Sequence, residues 1–281
     1  MAIFRVKTLL AEPPMLGVDF ADIKRALRKN RAILRAVPRM PAARRKSLGL
    51  SLHNVYETFV ICWPTVIDAF LSRVSMDECD ARLASWASEI AKNAAYELEV
   101  VGREHLGDRG EAFLVMSNHQ SLYDVPVLFD VLGANLRMIT KSELFTVPIF
   151  GPALKASGFI SIDRSNRTRA LESLAIAKAK IADGLNVWIA PEGTRSKTGE
   201  LLPFKKGGFS LALEAGLRIL PVTLKGTRDI LPAKGARSST NAHLRVTIHE
   251  PIDASEYAKR GMKEGREALM KTVRAALESG L

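Results

Sequence analysis

The chain has 281 residues, room for one large domain or for a catalytic domain with a smaller appendage. A hydrophobic content of 47% excludes disorder as the default, because that much apolar side chain can bury a sizeable core. The formal net charge of +11 favours polyanionic partners: nucleic acid, anionic lipid or a phosphorylated substrate.

The first fifteen residues, MAIFRVKTLLAEPPM, lack the long apolar core and small-residue cleavage site of a secretory signal, so none is expected. Residues 18–37 place Phe20, Ile23, Leu27, Leu34 and Val37 at three- and four-residue steps, interrupted by Asn30, with Arg and Lys opposite. This spacing predicts a basic amphipathic helix, ended by Pro38 and Pro41. Residues 24–46 hold ten Lys or Arg and no acid, nearly all of the net charge. Aromatic residues interleaved with the charges would favour single-stranded nucleic acid, and the run has none. An anionic membrane surface is the expected partner, and nucleic acid is not.

Residues 47–97 read as helical, with Pro64 as a break or kink and Tyr56, Phe59, Trp63 and Phe70 among the aromatic residues. Their most apolar run, FVICWPTVIDAFL at 59–71, is shorter than the roughly 18 to 20 residues that span a bilayer and carries Pro64 and Asp68. Cys62 and Cys79 have neither metal-ligand nor C-x-x-C spacing. They are expected to be buried small hydrophobes in a reducing compartment.

Near residue 98 the texture changes. LEVVGRE, AFLVMSN, LRMIT, GFISID, NVWIAP, ILPVTLKG and HLRVTIHEP read as strands. Helical stretches around 122–133, 142–156, 166–183, 207–216 and 262–278 lie between or after them. The expected fold is α/β, a mixed and largely parallel sheet flanked by helices. The expected division is 1–96, a helical membrane-association region, and 97–281, the α/β domain.

Three clusters carry chemistry. In NHQSLYD, His119 follows a strand and precedes a helix that Pro126 helps to start. Five residues are about 140° of helix, so His119 and Asp124 meet only where the segment is not all helix. If they meet, the aspartate fixes one ring nitrogen and leaves the other as a base. None of the other histidines, His53, His105, His243 and His249, has an acid at the fifth following position. By itself such a pair is more often a surface or capping feature. The second cluster, APEGTRSKTGELLPFKKGG at 190–208, combines glycines with Arg195, Lys197, Lys205 and Lys206 without P-loop order. Glycine lets backbone N–H groups approach an anion, and arginine offers a phosphate-binding fork. It reads equally as a solvated basic loop. The third, GFISIDRSNRTRA at 158–170, sets Arg164 at a strand end, which suits phosphate or ordinary surface charge.

Together N-H-x-x-x-x-D at 118–124, GFISIDR at 158–164, PEGTRS at 191–196 and LPVTLKG at 220–226 resemble the four ordered blocks of the glycerolipid acyltransferases. The branch most resembled is the 1-acylglycerol-3-phosphate acyltransferases, over roughly residues 98–250. The resemblance implies transfer of a fatty acyl group from acyl-CoA or acyl carrier protein to a lyso-phospholipid hydroxyl, with no cofactor and no metal. It implies His119 as general base and Asp124 as its orienting partner. It implies that Arg164, Glu192, Gly193, Thr194 and Arg195 hold the acceptor phosphate, with Lys141 and Lys205 as further candidates. Glu192 would itself repel phosphate, so it is expected to hold Arg195 or another cation in place. Cys62, Cys79 and Ser121 are not expected to form an acyl-enzyme. A lipid substrate implies a peripheral membrane protein, here expected on the cytoplasmic face. Another lyso-phospholipid or an aminolipid precursor as acceptor, or a non-catalytic polyanion- or lipid-binding protein, are the competing readings.

Overall fold

The computed structural model describes residues 46–107, 111–163 and 167–281, without the side chains of Arg167 and Leu171. The basic helix expected over 18–37 and the expected phosphate ligand Arg164 lie outside the described residues. Ala43–Leu281 is one compact unit. The division expected at residue 96 therefore falls inside that unit.

Two helices come first, α1 (Leu48–Phe70) and α2 (Met76–Ala94). The α/β part then runs β2 (Glu97–Val101), β3 (Leu114–Ser117), α3 (Asp124–Leu132), β4 (Leu136–Lys141), α4 (Phe150–Ala156), β5 (Ile160–Ile162) and α5 (Arg167–Ala182). It continues through β6 (Asn186–Ile189), α6 (Gly207–Ala215), β7 (Arg218–Lys225), α7 (Thr227–Ile230), β9 (His243–Ile248), α8 (Ala254–Ala258) and α9 (Met262–Ser279). Two-residue strands complete the set: β1 (Lys46–Ser47) pairs with β8 (Ser238–Ser239), and β10 (Ile252–Asp253) pairs with β7.

The sheet order is β2-β9-β7-β3-β6-β4-β5. The five strands from β7 to β5 are parallel, β9 runs antiparallel to β7, and β2 runs parallel to β9. The central strand β3 shows why the sheet is sandwiched. Side chains alternate faces along a strand, and here both faces are apolar and buried. Phe113 and Val115 join a core with α2 and α3. Leu114 and Met116 join a second core with α5, α6 and α9. A near-continuous apolar run is what a parallel strand covered on both sides requires.

The α1 helix is amphipathic in the opposite sense from a core helix. Its polar residues face inward. Ser51 bonds Ser238, Asn54 donates to the Tyr123 hydroxyl at 2.6 Å, Thr58 accepts from the Trp86 indole at 3.0 Å, and Thr65 accepts from Arg82 at 3.1 Å. Its large apolar residues, among them Leu52, Tyr56, Val60, Trp63, Ile67 and Phe70, face outward, and Phe70 is 87% exposed. Pro64 lies within this helix without ending it.

Candidate active site

In a parallel sheet the loops after the strands gather at the carboxyl edge, the usual place for a ligand site. The blocks after β3, β6 and β7 end there, and β5 leads to the same edge. Asn118 pins the first. Its amide donates to Leu224 O at 2.8 Å and accepts from Leu224 N at 2.7 Å, extending the β3–β7 ladder by one side chain.

The chain then turns, and His119 and Asp124 meet. His119 Nδ1 lies 2.6 Å from Asp124 Oδ2. The same oxygen accepts the backbone N–H groups of Gln120 at 2.7 Å and Ser121 at 2.9 Å. An oxygen already accepting two donors is an acceptor for the third, so Nδ1 carries the proton and Nε2 presents its lone pair. Asp124 is fully buried, while His119 keeps 17% of its side chain exposed. The imidazole is reachable and the carboxylate bonded to it is not. Among the described residues Asp124 Oδ1 has no hydrogen-bond partner.

The β6 loop grips the histidine's own backbone. Glu192 Oε1 accepts from His119 N at 2.8 Å, and Ser196 N donates to His119 O at 2.7 Å. Glu192 Oε2 accepts from Leu202 N at 2.8 Å. Burial pushes the Glu192 carboxyl up from its ordinary range, against the two backbone donors and His119, which hold it down. This corrects the expectation for Glu192. Its two oxygens bond backbone N–H groups, and no ion pair to Arg195 is found among the described residues.

The other expected residues separate into two groups. Lys141, Gly193 and Thr194 line one cleft of about 250 Å³ with Ser142 and Asp163. Arg195 is half-buried and Lys205 exposed, and neither lines that cleft. Lys205 is fixed through its backbone, N to Pro191 O at 2.7 Å. Ser121 is a turn residue, donating from Oγ to Leu231 O at 2.7 Å and accepting from Tyr123 N. Cys62 and Cys79 are free and buried, and burial pushes the Cys62 thiol up to about 11, far from a nucleophilic thiolate.

Trp188 is a residue that sequence reasoning passed over. Its ring meets His119 edge-on, with centroids 5.4 Å apart and planes at 83°. Its indole N–H donates to Ser117 Oγ at 2.8 Å. The one sequence signal was an aromatic residue inside the β6 run that precedes the PEGTRS block.

Residues 97–225 match the family model described as Acyltransferase. This stretch is similar to the domain which that model describes. The chain is 34% identical over 171 residues to a chloroplastic 1-acyl-sn-glycerol-3-phosphate acyltransferase of Brassica napus, an alignment covering 61% of this chain and 49% of that protein. It is 33% identical over 156 residues to the human 1-acyl-sn-glycerol-3-phosphate acyltransferase alpha, covering 55% of this chain and 54% of that one. The chain spans about half the length of these relatives. The structure superposes on the crystal structure of the 1-acyl-sn-glycerophosphate acyltransferase of Thermotoga maritima with a TM-score of 0.65 at 24% identity. That match covers 83% of this chain and 95% of the other, and shows the same fold.

Proposed function

We propose that the chain moves a fatty acyl group from an acyl thioester, acyl-CoA or acyl carrier protein, to the sn-2 hydroxyl of 1-acylglycerol-3-phosphate, giving phosphatidic acid. The observation that carries this reading is the His119 Nδ1–Asp124 Oδ2 bond of 2.6 Å, which leaves Nε2 free for a substrate proton. Nε2 takes the hydroxyl proton as the oxygen attacks the thioester carbonyl. The tetrahedral intermediate collapses by breaking the carbon–sulfur bond, and the proton on Nε2 passes to the departing thiolate. Asp124 stabilises the transient imidazolium and keeps the ring in one tautomer. Lys141 and the Thr194 hydroxyl hold the acceptor phosphate in the cleft they line, with Arg164 of the GFISIDR block as its guanidinium donor.

The protein works at a membrane surface in this reading. The support is α1, whose outward face exposes Tyr56, Trp63, Ile67 and Phe70 while its polar residues are spent inward. Burying one such side chain is worth roughly 1.5–3 kcal/mol, against about 1 kcal/mol for a basic residue near an anionic surface. With ten basic residues in 24–46 the two sums are comparable, so the helix and that run are two anchors of different kind, one apolar and one electrostatic. Among the described residues no helix is long and apolar enough to cross a membrane.

The test is acyl transfer from labelled acyl-CoA and acyl carrier protein to a panel of lyso-lipids, with His119→Ala beside the wild type. The variant is expected to lose about 10²- to 10⁴-fold in rate. Full activity in the variant would refute the mechanism, and no product from any glycerol phosphate lipid would refute the substrate class.

A further inference from the structure

The loop that grips His119 is itself gripped from the far side. It leaves β6 at Pro191, whose carbonyl accepts from Lys205 N at 2.7 Å and closes the loop at its base. Its returning limb carries Leu201 and Leu202. The Arg274 side chain of α9 reaches both. One terminal nitrogen donates to Leu202 O at 3.1 Å and the other to Leu201 O at 3.2 Å. Nε pairs with Glu278 at 2.8 Å. The guanidinium lies over the Phe204 ring, 5.4 Å from its centroid, and Phe204 stacks on the fully buried Phe209. All three nitrogens of the fork have partners and its face has a ring, so the planar group is held in one pose.

Leu201 O and Leu202 N–H belong to one peptide group. Its carbonyl accepts from Arg274, and its N–H donates to Glu192 Oε2 at 2.8 Å. A single amide thus stands between a guanidinium and a carboxylate. A cation at the carbonyl draws electron density from the amide nitrogen and makes its N–H a stronger donor, so each bond strengthens the other. Glu192 needs that help. It is 2% exposed, and the Leu202 N–H is one of the two backbone donors that offset its burial. A carboxyl that took a proton would set an O–H against an N–H and release one of its two partners. The other partner is His119 N. The series runs from Arg274 to the Leu201–Leu202 peptide, to the Glu192 carboxylate, to the His119 peptide.

Arg274 lies outside residues 97–225 and outside every motif block. We propose that it is a positioning residue for the base: acting through the Leu201–Leu202 peptide, it keeps Glu192 charged and in place and so fixes the His119 peptide. The proposal rests on the acyl-transfer reading above for its effect on rate, and on the hydrogen bonds alone for its effect on the loop.

The experiment uses the full chain with Arg274→Met, Arg274→Lys and Arg266→Met, each in the wild type and in Glu192→Gln. Methionine keeps an unbranched stem over Phe204 and removes every donor. Arg266, two turns away on α9, bonds Ser210 Oγ at 3.3 Å and serves as the control for loss of an arginine from the same helix. Steady-state kinetics should show kcat lowered about fivefold or more in Arg274→Met, with both KM values within about twofold. In Glu192→Gln the same substitution should cost less than about twofold, because the series is already broken. Arg274→Lys keeps the charge and can reach a carbonyl, so its loss should be smaller than that of methionine. Arg266→Met should leave kcat within about twofold of its background. Amide hydrogen exchange, read by mass spectrometry on the peptides containing His119 and Leu202, should speed up in Arg274→Met and not in Arg266→Met. Equal losses of kcat in both backgrounds would overturn the proposal, as would an effect on KM alone, wild-type kcat and exchange in Arg274→Met, or an equal loss in Arg266→Met. If Arg274→Met does not fold, Arg274→Lys carries the same comparison, and equal losses there overturn it too. Faster exchange in a protein that acylates no glycerol phosphate lipid would support the positioning role and refute the acyl-transfer reading.

Discussion

A histidine is a usable base only if its ring is held, and here it is held from three sides. Asp124 fixes Nδ1, the Trp188 edge limits the ring plane, and Glu192 with Ser196 fixes the peptide. Asp124→Asn keeps the volume but sets an amide against three N–H donors. Its oxygen can take the place of Oδ2 and keep those bonds, but its NH2 then lies buried where Oδ1 has no partner, and the charge that stabilises the imidazolium is lost. The rate is expected to fall about 10³-fold or more with little change in acceptor KM, read by steady-state kinetics. Glu192→Gln leaves one of two backbone N–H groups facing an amide donor. A buried unsatisfied group costs about 1–3 kcal/mol, so a lower midpoint in chemical denaturation is expected together with reduced activity. The His119–Asp124 pairing was legible because its partners are five residues apart in a turn that strand and helix signals bracket. The Glu192 bonds were not, because one joins residues 73 apart and each meets a backbone group, which carries no residue identity.

At the scale of elements, period and punctuation made the seven long strands and the helices α3 to α6 and α9 readable, since apolar runs alternate with Gly- and Pro-bearing turns, while α7 and α8 are too short to show a period. The pairs β1–β8 and β7–β10 escaped because a two-residue strand has no period. The helix α1 was legible as a helix and not as an outward-facing one, because which stripe is buried depends on what Ser51, Asn54 and Thr58 find opposite them. Trp63→Glu with Phe70→Glu is expected to lower vesicle flotation at both low and high salt without lowering the melting temperature, since both side chains are exposed. Removing residues 1–42, with most of the basic run, should lower it only at low salt, because salt screens charge and not apolar burial. Equal losses in both variants at every salt would refute the division of labour.

Across the whole molecule, one edge of one sheet collects what the chain distributes over more than a hundred residues, and the far helix α9 braces it. Thr223 of β7 donates to Leu277 O at 2.9 Å and therefore accepts from His249 Nε2 at 2.8 Å. Burial, then His105, lowers the His249 pKa from its ordinary value. The fold prefers the neutral ring, so its contribution is complete above about pH 6.5 and is lost as pH falls through the lower folded value. Melting temperature is expected to drop between pH 7 and pH 5 more in the wild type than in His249→Asn, which calorimetric scans would read. The grip of Glu192 and Ser196 on both sides of the His119 peptide bears on how such enzymes can be recombined. A chimera that imports the 118–124 segment from a relative while keeping the native 191–202 loop would mismatch the peptide clamp. The two segments are one hereditary unit, to be exchanged together or not at all.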